Sequence, residues 1–223
     1  MNSLCISVIL LVLELNISPF AVKMLTIMKW ILASQSPRRR QLLEQAGVDF
    51  DAINPPFDDP AHPEDTGATA EGIAMQLSFQ KALSVQKIHP DRPIIAADTL
   101  IVMPDQTLAG TPTSSEQAGQ MIRKMLNTAH WVVTGVTLLL PEIQGQTPEN
   151  KRIQFADRAQ VTLGNVSNSD LDAYLDTGNW QGKAGGYNLF DRQAAGWPVT
   201  VNGDQTTVVG LPMAILMQHL KDM

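Results

Sequence analysis

The sequence predicts an α/β fold, because strand patterns and helix patterns alternate along the chain. Residues 94–97 form a short continuous apolar run, which is typical of a strand that is buried on both faces. Residues 131–140 and 154–163 are two longer strand patterns joined by a polar loop, which predicts an antiparallel hairpin. The length of 223 residues fits one large domain, or one domain with two lobes.

The first predicted strand runs into a polar turn and then into a helix that carries three arginines at positions 38–40. Ser36 is a good N-cap and Pro37 a good first helical residue. Free backbone N–H groups and the positive end of a helix then face one place, which favours an anion. Three guanidiniums beside that place favour phosphate over a lone carboxylate. The alternative is a solvated basic helix start.

A second strand is predicted over residues 48–53, followed by an acidic loop that contains Asp58 and Asp59. Such loops are usually solvated connections, but paired carboxylates directly after a strand are also typical of a site. The next helix pattern covers residues 69–86, and Lys81 lies beside its apolar stripe.

Asp98 interrupts the buried strand pattern between Ala97 and Thr99. A carboxylate in such a run is costly unless it is paired, hydrogen-bonded or bound to a metal. Buried acids of this kind are candidates for catalysis. The alternative is an aspartate that accepts hydrogen bonds from backbone N–H groups at a strand kink.

The second half of the chain continues the alternation. A helix is predicted over residues 114–126, and a short helix from residue 169 to 175 has Asn168 or Ser169 as its cap. Residues 177–187 are rich in glycine and contain Lys183, which suits close approach to a phosphate, although a wide surface loop is the alternative. A closing hairpin is predicted over residues 199–201 and 206–209, followed by a last helix from residue 211.

Composition excludes some classes of function. Hydrophobic residues make up 44% of the chain, which is enough for a sizeable core. The net charge of -6 argues against general binding to nucleic acid, because no overall basic field attracts a polyanion. The single cysteine, Cys5, excludes an internal disulfide and lies in no catalytic motif.

Residues 1–23 do not resemble the rest of the chain. Their apolar run is too short to span a bilayer, and the first lysine, Lys23, comes after it instead of before it as in a signal peptide. We therefore expect residues 1–23 to be an N-terminal extension outside the functional fold, and residues 24–223 to be the functional domain, beginning at Met24 or Met28. A weak membrane tether is the alternative.

Several short motifs occur together in one order along the chain. They are Leu32-Ala33-Ser34-Gln35-Ser36-Pro37-Arg38-Arg39, Ala97-Asp98-Thr99, Thr177-Gly178, Lys183-Ala184-Gly185 and Val209-Gly210-Leu211-Pro212. In this combination the chain resembles the Maf family of nucleoside triphosphate pyrophosphatases, from about Lys29 to the last helix.

The resemblance implies a twisted mixed α/β sheet with surrounding helices and two lobes around a cleft, similar to inosine triphosphate pyrophosphatase. It also implies a cytoplasmic enzyme, with a homodimer as a possible assembly, that removes unwanted nucleotides. The implied reaction is hydrolysis of a nucleoside triphosphate between the α and β phosphates, giving a monophosphate and pyrophosphate. The implied partner is thus a nucleoside triphosphate, with no nucleic acid and no membrane.

The same resemblance assigns roles to residues. Asp98 is the expected proton acceptor that activates water. The expected triphosphate-binding residues are Ser34, Arg38, Arg39, Lys81 and Lys183, with the two lysines reaching the phosphates from the other lobe. A divalent cation, Mg²⁺ or Mn²⁺, is the expected cofactor. Asp58 and Asp59 stand where the family has an acidic pair, and with Asp98 they are its expected ligands.

Base preference is expected to depend on Arg38, Thr99 and Phe190. Arg38 and Thr99 favour the subgroup that acts on dTTP and UTP, whereas Phe190 replaces a glutamine and predicts relaxed selectivity with some stacking. A further departure is Thr111, which stands where the family has a lysine. That departure keeps an alternative open, a nucleotide-binding regulatory protein with weak or lost catalysis. Another alternative is an unrelated phosphate-ester hydrolase that releases orthophosphate.

Overall fold

The computed structural model describes residues 29–57, 68–141 and 152–223. The strands of this part of the chain are β1 (Trp30–Ala33), β2 (Phe50–Ile53), β3 (Ile94–Val102), β4 (Leu108–Ala109), β5 (Thr128–Leu139), β6 (Arg152–Leu163) and β7 (Val199–Asn202). The helices are α1 (Pro37–Gln45), α2 (Ala70–Gln86), α3 (Ser115–Met125), α4 (Asn168–Asp176), α5 (Leu189–Ala194), α6 (Gln205–Val209) and α7 (Met213–Asp222), and a 3₁₀ turn covers Ala184–Gly186.

The strands form one seven-stranded mixed sheet, which confirms the α/β prediction. The strand order is β2-β1-β3-β5-β6-β7, and β4 pairs with the end of β3. β1 is parallel to β2 and to β3, whereas β3, β5, β6 and β7 are antiparallel to their neighbours along the rest of the sheet. β3 and β5 are therefore central strands, and Asp98 lies in the middle of β3 opposite Gly135 of β5.

Apolar side chains gather at the two ends of this sheet, which gives the molecule two lobes. At the β1 end, Leu32 packs with Leu43 of α1 and Leu216 of α7, while the other face of the sheet packs on α2. At the opposite end, Met125 of α3 and Leu171 of α4 belong to a separate core. The residues between these two cores line a cleft.

Helix α2 lies unusually close to the sheet because of Gly135. A Cβ atom at this position would lie 2.4 Å from the backbone carbon of Ala74 and 2.4 Å from the backbone nitrogen of Met75. No side chain fits there, so the helix backbone packs directly on β5. This approach brings α2 over the segment of β3 that contains Asp98.

Three local predictions differ from the structure. Residues 206–209 belong to the short helix α6 and not to a hairpin strand, because Asp204 caps that helix by accepting a hydrogen bond from the Thr206 N–H. The cap of α4 is Ser167 instead of Asn168 or Ser169. Helix α5 was not predicted. The predicted extension over residues 1–23 lies outside the described residues.

Candidate active site

The turn between β1 and α1 forms one wall of the cleft, as the sequence predicts. Ser36 caps α1, because its hydroxyl accepts a hydrogen bond from the Arg39 backbone N–H at 3.4 Å, and Pro37 is the first helical residue. Ser34 is buried, and its hydroxyl accepts a hydrogen bond from the Ser36 N–H at 3.1 Å. The backbone N–H groups of Ser36, Arg39 and Arg40 are bonded within the turn, whereas the sequence analysis expected free N–H groups at this point.

Among the described residues, Arg39 donates hydrogen bonds to three oxygen atoms from separate parts of the chain. Its Nε donates to the Gly210 carbonyl at 2.7 Å. Its Nη1 donates to Ser34 Oγ at 3.3 Å and its Nη2 to Thr99 Oγ1 at 3.1 Å. Gly210 has a φ of 108°, and a Cβ there would lie 3.2 Å from Arg39 Nε, so glycine is needed at this contact.

The other two arginines of the motif have different surroundings. Arg38 lines the cleft, and burial lowers the pKa of its guanidinium, partly offset by the negative charge of Asp191. Arg40 is exposed and does not line the cavities described below. The three arginines predicted as one cationic cluster are therefore one anchored residue, one cleft-lining residue and one surface residue.

Asp98 and Lys81 form a short ion pair at the bottom of the cleft. The Lys81 Nζ atom lies 2.5 Å from Asp98 Oδ1, and each side chain is only 10% exposed. This pairing offsets the cost of burying either charge alone. Lys81 lies on the same side of the cleft as Ser34 and not on the other lobe as predicted, because α2 packs closely on the β1 end of the sheet.

The opposite wall is formed by the glycine-rich segment and the start of α5. Gly182, Ala184, Tyr187 and Leu189 line the cleft there. Lys183 Nζ donates a hydrogen bond to the Asn179 carbonyl in the same loop. Burial lowers the pKa of Lys183, while Asp191 raises it and the nearby Arg38 and Arg192 lower it further. Lys183 and Arg38 are thus close enough to interact electrostatically across the cleft.

Two adjoining cavities occupy the cleft. The first is about 190 Å³ and is lined by Asp98 and Thr99, and the second is about 410 Å³ and is lined by Ser34 and Lys81. Both share Ser36, Arg38, Arg39 and Gly182 as walls. Ligand pockets are usually about 300–1,000 Å³, and the second cavity alone falls in this range. The Lys81–Asp98 ion pair lies where the two cavities meet.

The remaining predicted site residues fall into three groups. Thr111 lines the first cavity from the loop after β4, so the family's lysine position does lie at the site. Phe190 is 41% exposed and does not line either cavity, so its expected contact with a base finds no support among the described residues. Asp58 and Asp59 lie outside the described residues. No group of three or more metal-ligating side chains occurs among residues 29–57, 68–141 and 152–223.

Two residues at the site were missed by the sequence analysis. Tyr187 lines the first cavity, and its hydroxyl lies 2.8 Å from Nε2 of His130, which is buried on β5 behind it and does not line the cavity. Burial raises the pKa of Tyr187 and lowers the pKa of His130 to about 4. Tyr187 follows directly on the glycine-rich segment, and this position could have predicted it as a site residue. A lone histidine in a strand carries no such signal.

The family comparison agrees with this arrangement of motifs. The family described as Maf-like protein matches residues 29–223, which is most of the chain. This chain belongs to the Maf family. The match includes both walls of the cleft, the ion pair and the strand that carries Asp98.

Relatives of this Maf protein include several that are named dTTP/UTP pyrophosphatase. The protein from Bacillus cytotoxicus is 33% identical over 86% of this chain and 94% of its own length. The protein from Thermoanaerobacter sp. is 34% identical over 87% of this chain and 96% of its own length. The protein from Salinibacter ruber is 35% identical over 86% of this chain and 89% of its own length.

Among solved structures, the Ham1 protein of Staphylococcus aureus aligns with a TM-score of 0.39 and 17% identity, over 60% of this chain and 71% of that chain. At this level the structural likeness adds nothing to the family assignment, which the sequence comparisons carry. Within the described part of the chain, none of the helices has the length and apolar character needed to cross a membrane.

Proposed function

We propose that this Maf protein is a nucleoside triphosphate pyrophosphatase that cuts the α–β phosphoanhydride bond and releases a nucleoside monophosphate and pyrophosphate. The observation that carries the proposal is the cleft, in which an arginine-bearing helix start faces a buried carboxylate that is ion-paired at 2.5 Å. The curated relatives named dTTP/UTP pyrophosphatase support the same reaction.

Asp98 is the proposed proton acceptor. A water molecule attacks the α-phosphorus, its proton passes to the Asp98 carboxylate, and the bond to the β-phosphate breaks so that pyrophosphate leaves with the electron pair. Lys81 keeps the carboxylate oriented through the bond to Oδ1. A positioned general base contributes about 10²–10⁴ in rate.

Ser34, Arg38 and Arg39 are the proposed phosphate contacts, with Lys183 on the opposite wall. Negative charge builds on the phosphoryl oxygens and on the leaving pyrophosphate in the transition state, and fixed guanidiniums stabilise it at little reorganisation cost. Arg39 is already held in place by Gly210, Ser34 and Thr99 before any ligand binds.

A divalent cation, Mg²⁺ or Mn²⁺, is the proposed cofactor. Mg²⁺ in phosphate-transfer sites usually has one or two carboxylate ligands together with phosphate oxygens and water. One such carboxylate, that of Asp98, lines the first cavity, which supports the proposal. Asp58 and Asp59 are the further proposed ligands. When bound, the cation neutralises charge on the phosphates.

The proposed substrates are dTTP and UTP first. Arg38 and Thr99 both line the first cavity, where they meet the apolar side chains of Ile101 and Leu189. The relatives' names support a pyrimidine preference. A cytoplasmic location and a homodimer belong to the proposal only as expectations from the family resemblance.

A product assay tests the reaction. The full chain is incubated with dTTP, UTP, CTP, GTP and 7-methyl-GTP in the presence of Mg²⁺ or Mn²⁺, and pyrophosphate and orthophosphate are measured separately. In heavy-oxygen water, attack at the α-phosphorus places the label in the monophosphate. Release of orthophosphate, or label in pyrophosphate, would reject the proposed reaction.

Thr111 favours a second candidate function. It lines the first cavity at the position of the family lysine, so one positive charge is absent from the site. A nucleotide-binding regulatory protein with weak catalysis therefore stays the alternative. Tight nucleotide binding without turnover on any member of the panel would favour it.

A further inference from the structure

A chain of hydroxyl groups runs from the cleft into the sheet. Thr99 on β3 and Thr134 on β5 lie directly opposite each other, and their Oγ1 atoms are 2.9 Å apart. Thr134 Oγ1 donates to the carbonyl of Thr207 in α6 at 2.8 Å. At the cleft end, Arg39 Nη2 donates to Thr99 Oγ1 at 3.1 Å. Thr134 is fully buried and does not line either cavity.

The directions of these hydrogen bonds follow from counting protons. A threonine hydroxyl has one proton and two lone pairs. The Thr207 carbonyl can only accept a hydrogen bond, so Thr134 donates its one hydroxyl hydrogen to that carbonyl. Thr134 must then accept from Thr99, which directs the Thr99 proton into the sheet. The lone pairs of Thr99 are left for the Arg39 guanidinium, which can only donate.

We propose that Thr134 is a positioning residue of the nucleotide site, because it fixes the Thr99 hydroxyl as an acceptor for Arg39. This inference rests on the proposed function, since it assumes that Arg39 holds the triphosphate. Without the Thr134 oxygen, the Thr99 proton loses its buried acceptor and can turn toward the guanidinium, where two donors oppose each other. Arg39 is then held less firmly.

The same hydrogen-bond directions determine which contacts Thr99 can make with a nucleotide. Its proton is used inside the protein, so Thr99 cannot donate a hydrogen bond to a phosphate oxygen. Its contribution to triphosphate binding passes through Arg39. Any direct contact of Thr99 with the nucleotide requires a donor on the nucleotide, such as a ring N–H or a sugar hydroxyl.

A residue of β6, the other neighbour of β5, also supports this chain of hydroxyl groups. Thr207 Oγ1 donates to Asp157 Oδ2 at 2.5 Å, and Asp157 pairs with Thr134 in the sheet register. The Thr207 carbonyl, which accepts the hydrogen bond from Thr134, is therefore held in place by a residue of β6. The directions of these hydrogen bonds are set by the sheet and α6 and do not depend on a bound ligand.

The test compares isosteric variants. Thr134→Val should lower kcat/KM for dTTP by roughly 3- to 10-fold, mainly through KM, because one net hydrogen bond is removed from the support of a binding residue. Thr134→Ser keeps the hydroxyl and should restore the wild-type value. Thr137→Val is the matched control, since Thr137 is equally buried on the same strand and bonds to Ser78 on the helix side.

A double-mutant cycle with Thr99→Val tests whether Thr134 acts on the nucleotide site through Thr99. If Thr134 acts through Thr99, adding Thr134→Val to Thr99→Val should change kcat/KM by less than about twofold. An additive loss, an equal loss in Thr137→Val, or no loss in Thr134→Val would each overturn the inference. If Thr134→Val does not fold, Thr134→Ala removes the same oxygen and has the same outcomes.

Binding measurements separate this inference from the reaction itself. The Kd for the non-hydrolysable α,β-methylene analogue of dTTP should rise by roughly 3- to 10-fold in Thr134→Val. If the wild-type chain binds the analogue but releases no pyrophosphate, the proposed reaction fails while the Kd comparison still decides the role of Thr134. If the wild-type chain does not bind the analogue, the inference fails with the proposal.

Discussion

The two walls of the cleft are held in different ways. On the wall formed by β1 and α1, the cationic side chain itself is anchored, because Arg39 donates to three oxygens that lie outside α1. On the glycine-rich wall, it is the backbone that is anchored. The Gly185 N–H donates to the Gly110 carbonyl at 3.1 Å, and the Tyr174 hydroxyl donates to the Gly186 carbonyl at 2.9 Å. The hydrogen bond from Lys183 to the Asn179 carbonyl stays within its own loop.

This difference assigns different tasks to similar charges. A guanidinium that is fixed before the ligand arrives adds charge stabilisation without an ordering cost, which suits the transition state. A lysine on a local loop must be ordered on binding and contributes less. We therefore expect the Arg39 guanidinium to set the phosphate geometry and the Lys183 side chain to adjust to it.

The largest effect is expected at Asp98, where both walls meet. Asp98→Asn should lower kcat for dTTP by about 10²–10⁴, because an amide cannot accept the proton. Folding and nucleotide binding should largely persist because the oxygen of the new amide can still accept a hydrogen bond from Lys81. The free energy of unfolding should fall, since the buried Lys81 charge is no longer balanced by the Asp98 charge. Thermal unfolding and analogue binding measured alongside kcat provide the control. Turnover above half of the wild-type value would contradict the assignment.

The next effect concerns the support of the glycine-rich wall by His130. Its pKa of about 4 in the folded protein is below the ordinary 6.5, so the unfolded state binds the proton more strongly. The free energy of unfolding should be unaffected by His130 above pH 6.5 and should fall by about 3 kcal/mol as the pH drops from 6.5 to 4.

Denaturant unfolding at several pH values measures this dependence. His130→Gln removes the titration and keeps a polar partner for the Tyr187 hydroxyl, so its stability should decline correspondingly less between pH 7 and pH 4. Parallel curves for the two proteins would show that His130 does not titrate on unfolding as described.

The comparison of walls is tested directly by two cation variants. Arg39→Lys should lower kcat/KM on the order of 10²-fold, because an ammonium cannot replace the three-way guanidinium contact. Lys183→Ala should lower kcat/KM by less than about fivefold, since this lysine is only partly buried and its hydrogen bond stays within its own loop. Both values come from steady-state kinetics with dTTP. Equal losses would remove the distinction between the walls.

Thr111→Lys should raise kcat/KM for dTTP by roughly two- to fivefold, because it adds a solvated positive charge to the first cavity. Thr111→Gln is a control of similar length without the charge. The gain should shrink at high salt, where the added charge is screened. A gain that the glutamine variant reproduces would indicate an effect of size instead of charge.

The smallest effect is expected at Phe190. The sequence predicts that Phe190→Gln sharpens the preference for dTTP and UTP over purine nucleotides. The exposed position of this side chain, outside both cavities, leads us to expect a change in the dTTP/GTP ratio of kcat/KM below about twofold. A change above tenfold would mean that Phe190 moves into the cleft when a nucleotide binds.

Local patterns in the sequence were sufficient for several parts of the fold. The helix α2 and the cap at Ser36 depend on neighbouring residues, and each was predicted within a residue. The start of β3 was predicted at Ile94, but its end lies at Val102, beyond the predicted stop at Ala97. Asp98 was identified because a carboxylate in an apolar strand needs a partner. That partner, Lys81, could not be identified from spacing, because its approach depends on the packing of α2 against Gly135.

Contacts between distant segments were beyond the sequence argument. The separate roles of Arg38, Arg39 and Arg40 depend on which acceptors the fold brings to each side chain. Helix α6 was predicted as a strand because Thr207, Val208 and Val209 are β-branched, and local propensity was overridden by the cap at Asp204 and the buried bond from Thr134.

The bond between Arg39 and the Gly210 carbonyl joins residues that are 171 positions apart in the chain. During synthesis, the β1–α1 turn is made first, and the carbonyl that anchors Arg39 Nε follows 171 residues later. A shorter nascent chain has no carbonyl at position 210 to orient the guanidinium. The Arg39 anchor is therefore complete only after residue 210 has been made, and a chain that stops before it should bind nucleotides more weakly.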